Sequence, residues 1–290
     1  MSQLDPRLHA YRADLAAETL RGQVSAPHYA PGSPAQVMRG VADLRRQPSA
    51  SAPMDTQLLS GEAVTVYDEA EGWAWVQNAT DGYVGYVESA ALGREVQTPT
   101  HSVAVLRTFL YPEPSIKAPP IDCLSMSSPV TVVGTKDRFS EVRLAAPGAG
   151  GWIYTSHLAA SGEVVTDYVS TARQFLGAPY LWGGKNSLGL DCSALIQIAL
   201  ARAGIPCPRD TYMQETSLGS EVPSGSRQQY TPKIGDLIFF PGHVAIAMDE
   251  TMVLSPNAHA MLVTIEPLAD LLGRVNEESG GRGITAVRRL

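Results

Sequence analysis

A chain of 290 residues exceeds the usual span of one domain and points to two or three compact units, each able to bury its own core. Its 22 Lys and Arg stand against 29 Asp and Glu, and the formal charge of -7 argues against a nucleic-acid surface or a polybasic membrane contact. Cys123, Cys192 and Cys207 form neither an even framework nor a CxxC pair, so no disulfide scaffold, zinc site or other cofactor is expected, and a free thiol with a chemical task comes into view.

The opening segment, MSQLDPRLHAYRADLAAETLRG, mixes charge into every turn and lacks the apolar run and small-residue cleavage site of a secretory signal. No stretch reaches the roughly 18 apolar residues that span a bilayer. The expectation is a cytoplasmic protein with no membrane partner. Leu4, Leu8, Tyr11, Leu15 and Leu20 are spaced to one face and predict a helix over 1 to about 25. The Pro-, Gly- and Ser-rich APHYAPGSPAQ reads as a loop, so 1–40 is taken as a helix and linker arm.

From 41 to 97 the pattern turns to short β-branched and aromatic segments. Ala63 to Tyr67, Trp73 to Val76 and Tyr83 to Val87 fit strands, with Asp81-Gly82 as a turn between two of them. A related order returns over 98–162: Val64-Thr65-Val66 answers Val130-Thr131-Val132, Gly85-Tyr86-Val87 answers Gly151-Trp152-Ile153, and Ala91-Leu92 answers His157-Leu158. Two copies of one small β-barrel are the economical explanation. The repeat resembles the bacterial SH3-like domains that accompany cell-wall hydrolases; alone, such a tandem would be a binding module without catalysis.

The remaining segment, 163–290, changes character again. DYVSTARQFL (167–176) predicts a short helix, and a strongly apolar helix begins at Cys192 and stops at Gly204, with Pro206 beyond. Strands follow at Asp236 to Phe240, His243 to Met248 and Met252 to Ser255, with Leu262 to Ile265 extending the sheet. A buried helix packed on an antiparallel sheet defines an α+β domain.

Asp191 precedes the apolar helix as a candidate N-cap and places Cys192 in its first turn. There the helix dipole and unpaired N–H groups favour thiolate over thiol and can receive an oxyanion. His243 opens the strand HVAIAM, where alternation puts His243, Ala245 and Ala247 on one face. The small alanines would let a helix approach closely, as a Cys–His pair requires. A third group should orient the imidazole. Ser255, Asn257 and His259 share one face of the next strand; a pairing centre at residue 249 sets Ser255 opposite His243, whereas a centre at 250 sets Asn257 there.

YLWGG (180–184), LDCSALIQ (190–197), GDLIFF (235–240) and HVAIAM (243–248) together resemble the NlpC-type family of papain-like peptidases that cleave cell-wall peptides. With the two SH3-like segments, nearly the whole chain resembles the γ-D-glutamyl-L-diamino acid endopeptidases that act on free murein peptides. The resemblance implies Cys192 as nucleophile and His243 as general base. The family's third residue, usually histidine, falls twelve positions after the base, which here is Ser255, a weaker acceptor for an imidazole; Asn257 or His259 remain alternatives. It further implies a pocket of Tyr180, Trp182, Asp191, Ser193, Asp210 and Thr211, in which acidic groups hold a free L-alanine ammonium and hydroxyls meet the D-glutamate carboxylate. Glu62 and either Tyr83 or Tyr86 of the first SH3-like domain would wall that pocket. The implied activity is metal-free cleavage of murein tripeptides or tetrapeptides, against the alternatives of an exported wall hydrolase, an amidase or acyltransferase on the same fold, and a wall-peptide binding module with a weakened triad.

Overall fold

A computed structural model describes residues 4–222 and 230–290, which form two compact units, 1–163 and 164–290. In the first unit, a seven-stranded sheet runs in the order 54–59, 41–45, 84–88, 73–78, 63–70, 33–37, 92–93. Its core forms because alternate residues of the strands, Val64 and Val66 against Ala74 and Val76, point inward with Leu44, Leu58 and Val87. The turn at Asp81-Gly82 is built as the sequence predicts: Gly82 takes φ +77° and the Asp81 carboxylate accepts the Tyr83 N–H at 3.2 Å.

Residues 98–163 carry a second sheet in the order 150–154, 139–143, 129–136, 101–103, 158–160, with Val103, Val130, Val142 and Ile153 buried at its centre. Both sheets follow three antiparallel strands with a single 3-10 turn, 89–91 and 155–157, and a short closing strand. Gly61 marks their junction, with φ +82° and a Cβ position only 1.9 Å from the Pro129 carbonyl oxygen.

Two expectations for the N-terminal region are overturned. Instead of a helix, residues 4–25 form turns, a strand at Leu15–Ala17 and a 3-10 turn at Glu18–Leu20. Leu4, Tyr11, Leu15 and Leu20 are apolar because they pack on Trp75 and Val84 of the barrel. The backbone bonds outward as well: Arg7 O accepts from Val84 N–H and Leu8 O from the Gln77 side chain, both at 2.8 Å. Tertiary partners thus replaced the i to i+4 ladder. In the supposed linker arm, Ser33–Val37 is a strand paired with Ala63 to Val66, its prolines and glycine confined to the end.

The second unit holds α1 (Tyr168–Arg173), α2 (Cys192–Arg202), α3 (Thr211–Ser217), β1 (Leu237–Phe240), β2 (His243–Ala247), β3 (Met252–Asn257), β4 (Leu262–Pro267), α4 (Leu268–Ser279) and β5 (Ala286–Arg289). The sheet runs 220–221, β5, β1, β2, β3, β4, and is antiparallel throughout. Ten of the eleven α2 residues are buried, all but Ala201, so this helix is a core element rather than a surface one. It ends where Gly204 takes φ +71°. Among the described residues no helix is long and apolar enough to cross a membrane.

Candidate active site

The Asp191 side chain caps α2 by accepting the Ala194 N–H at 2.9 Å, which fixes Cys192 as the first helical residue. The same carboxylate takes both arms of Arg209, at 3.0 and 2.7 Å, and the Gly183 N–H at 3.0 Å. Arg209 also donates to Ser193 Oγ at 2.8 Å and is only 1% exposed. This bidentate, buried pair ties the Gly-rich loop, the start of α2 and the segment before α3 into one unit. Arg209 carries no sequence expectation beyond its place in the Pro-Arg-Asp stretch at 208–210.

Cys192 lies at the start of β2. The β2–β3 ladder pairs Ile246 with Leu254 and Ala247 with Val253 and extends no further toward His243. That opening leaves the Val244 N–H to donate to the Cys192 sulfur, while Thr211 Oγ1 stands 3.9 Å from it. The face of Ala245 and Ala247 does admit a helix, but that helix is α4: Leu268 and Leu271 cover the alanines, and no α2 side chain joins this cluster. Neither α4 nor α3 is anticipated by the strand reading of the sequence. The marks of α4 are Leu268, Leu271, Leu272 and Val275 at helical spacing and Gly280 at its end, with φ +69°.

The His243 ring sits 6.1 Å from that of Phe240, and its Nε2 lies 3.2 Å from Ser255 Oγ. The register sums to a centre at residue 250, which sets Asn257 opposite His243, yet the hydrogen bond goes to the diagonal neighbour Ser255. Asn257 is committed elsewhere: Nδ2 donates to Thr264 Oγ1 at 2.7 Å and Glu266 Oε1 at 3.0 Å, and Oδ1 accepts the Ala260 N–H at 2.7 Å. His259 is exposed on the turn beyond β3. With Nε2 engaged by Ser255, Nδ1 is the imidazole nitrogen left for proton transfer.

Burial sets the protonation of the pair. It pushes the Cys192 thiol up to about 11, helped by the Asp191 charge and opposed by the Val244 N–H, Thr211 and Arg209. It pushes the His243 imidazole down to about 4, with Arg274 acting in the same direction. Desolvation thus works against the thiolate that the helix terminus favours, and with these values both groups are neutral at pH 7. Burial also holds the Tyr180 phenol protonated, with the sulfur of Cys192 and the carboxylate of Asp191 nearby.

Of the remaining expected residues, Trp182 is 69% exposed and so is not core, and it shares a groove with Tyr180 and His243. Ser193 is buried between Asp191 and Arg209, Thr211 begins α3, and Asp210 precedes it as N-cap. In the first unit, Glu62 is 5% exposed and accepts the Leu59 N–H at 3.0 Å, so it is a buried turn carboxylate. Tyr83 is core, whereas Tyr86 is half-buried with its hydroxyl accepting from Arg12 at 3.1 Å.

A thiol at the N-terminus of a buried helix, its sulfur receiving an N–H from the strand that opens with His243, fits a cysteine hydrolase. The NlpC/P60 family profile matches residues 177–270, and the profile of the bacterial dipeptidyl-peptidase SH3 domain matches residues 44–92. The γ-D-glutamyl-L-lysine dipeptidyl-peptidase of Bacillus cereus is 30% identical over 258 residues, covering 79% of this chain and 74% of that one. Dipeptidyl-peptidase 6 of Lysinibacillus sphaericus is 27% identical over 80% of this chain and 90% of its own length. The crystal structure of an NlpC/P60 family protein from Bacillus cereus shares the fold, with a TM-score of 0.74 at 22% identity, over 89% of this chain and 99% of that one. The chain belongs to the NlpC/P60 family of cysteine peptidases, with an SH3-like domain ahead of the peptidase segment.

Proposed function

We propose that this protein hydrolyses the bond between γ-D-glutamate and a diamino acid in free murein tripeptides and tetrapeptides that begin with L-alanine, releasing L-alanyl-D-glutamate for cell-wall peptide recycling in the cytoplasm. The observation that carries the reading is Cys192 at the start of α2, its sulfur receiving the Val244 N–H beside a His243 whose Nε2 is engaged by Ser255. The name of the Bacillus cereus relative, a γ-D-glutamyl-L-lysine dipeptidyl-peptidase, supports the γ-D-glutamyl bond as the target. The five-stranded sheet over 98–163 is read here as a second SH3-like barrel.

Cys192 attacks the amide carbonyl as His243 Nδ1 takes the thiol proton, so no preformed ion pair is required of the neutral pair. The oxyanion is received by the Cys192 N–H at the helix start and by the Tyr180 hydroxyl, which burial keeps protonated. The imidazolium then gives its proton to the departing amine, and water hydrolyses the thioester to restore thiol and imidazole. On the acyl side, Asp210 supplies negative charge that suits the L-alanine ammonium and Thr211 a hydroxyl for the D-glutamate carboxylate, while Asp191 and Ser193, bound to each other and to Arg209, fix the pocket wall.

Incubation with L-Ala-γ-D-Glu-diaminopimelate should release L-Ala-D-Glu, and the N-acetylated peptide should be refused. Release that survives Cys192→Ala removes the thiol from its role. Binding without any release by the wild type leaves a wall-peptide binding module instead.

A further inference from the structure

A groove of about 390 Å³ opens beside His243 and follows α4, lined by Tyr180 and Trp182 and by Arg274, Glu278 and Arg282. Cys192, Asp191 and Thr211 are not among its walls. In the reaction above, the thiol keeps the acyl carbon while the imidazole hands its proton to the departing nitrogen. A groove that reaches the base and not the nucleophile therefore lies on the side of the leaving amine.

Its charges are arranged rather than scattered. Arg274 is anchored by an ion pair to Glu266, which also accepts from Asn257 Nδ2 at 3.0 Å. The Arg274 charge is felt at the imidazole, where it opposes protonation of His243. Arg282 is held to the end of α4 by its Nε, which donates to the Ser279 carbonyl at 3.3 Å, and it lines the groove. Glu278 has no ion-pair partner among the described residues, although it lies one helical turn from Arg274 and lines the same groove. Two guanidinium groups and one carboxylate match a zwitterion: a carboxylate between the arginines and an ammonium at Glu278. Lysine ends in an ammonium alone. A diamino acid such as meso-diaminopimelate ends in an ammonium and a carboxylate on one carbon.

We propose that this groove is the leaving-group subsite and that Arg274, Arg282 and Glu278 select a diamino acid with a carboxylate on its far carbon, as in meso-diaminopimelate, over lysine. The inference rests on the peptidase reading above and extends it to the diamino acid. The test compares kcat/KM of the full chain on L-Ala-γ-D-Glu-meso-diaminopimelate and L-Ala-γ-D-Glu-L-Lys. The diaminopimelate peptide should be preferred by about tenfold or more, the scale of one charge-assisted pair, and Arg282→Ala, a change at an exposed position, should bring the ratio to within about threefold of one. Equal use of both peptides by the wild type, or a preference that persists in both Arg282→Ala and Glu278→Gln, overturns the subsite. Calorimetry of the same two peptides with Cys192→Ala reads the preference without turnover. A binding preference that Arg282→Ala abolishes, in a wild type that releases nothing, would leave the subsite standing and sink the peptidase reading.

Discussion

Replacing Ser255 by alanine removes the one side-chain partner of His243 Nε2 among the described residues, a hydroxyl 3.2 Å away on a residue 1% exposed. A serine hydroxyl accepts or donates. When it accepts from Nε2–H, the Nδ1 lone pair is available and the ring can act as a base. When it donates to Nε2, the proton sits on Nδ1 and the ring cannot. Ser255 therefore positions the imidazole without imposing its tautomer, unlike an acceptor-only carboxylate. A neutral hydrogen bond of this kind is worth about 0.5 to 1.5 kcal/mol. At about 1.36 kcal/mol per decade, Ser255→Ala should lower kcat/KM roughly two- to tenfold, mainly through kcat, because the bond orients the base and does not touch substrate. Ser255→Thr keeps the hydroxyl and should recover most of the loss. The assay is initial-rate release of L-Ala-D-Glu at several substrate concentrations, with circular dichroism to verify folding. Unchanged activity in the alanine variant, or a threonine variant as poor as alanine, refutes the positioning role. A hundredfold loss refutes the magnitude, since a neutral bond cannot supply it.

The raised thiol pKa of about 11 means that the thiolate fraction of Cys192 is small at pH 7 and grows tenfold per pH unit up to that value. Iodoacetamide labelling of Cys192, followed by mass spectrometry, should therefore accelerate through alkaline pH; a plateau below pH 8 would show that the helix terminus outweighs burial. Arg209→Ala leaves the buried Asp191 charge unpaired and should cost about 3–5 kcal/mol of stability in thermal or urea unfolding, with partial recovery on adding Asp191→Asn. A melting point within a degree of wild type would contradict that. Gly61→Ala combines a φ of +82° with a Cβ position 1.9 Å from a backbone oxygen, whereas Gly72→Ala shares the φ but meets nothing within 4 Å. The first should destabilise the protein by clearly more than the roughly 1 kcal/mol expected of the second, and equal costs would mean that the junction with Pro129 yields freely.

Local chemistry made several parts of the site legible. An acidic cap followed by a long apolar run and a glycine stop specified α2 and the place of Cys192 on it, because capping and termination are decided within a few residues. The strand opening at His243 and the turn at Asp81-Gly82 followed from alternation and from turn chemistry in the same way. The helical spacing of Leu4, Leu8, Tyr11 and Leu15 misled, since apolar residues docking along a barrel can share that spacing while the backbone bonds to the barrel. α4 escaped because short apolar stretches after β4 invite continuation of the sheet, although its own spacing was helical.

The sequence by itself determined that a helix-borne thiol and a strand-borne imidazole belong to one domain, because each is announced by its own neighbours. Only the tertiary structure decided what surrounds them. Ser255 rather than Asn257 holds His243 although the register favours Asn257, because the ladder opens before Val244 and Asn257 is bound to Thr264 and Glu266. Arg209 reaches Asp191 across 18 positions of chain, and α4 rather than α2 closes the alanine face. The neutral resting state of the pair follows from burial, which no neighbour in sequence can report, since desolvation depends on everything packed around the group.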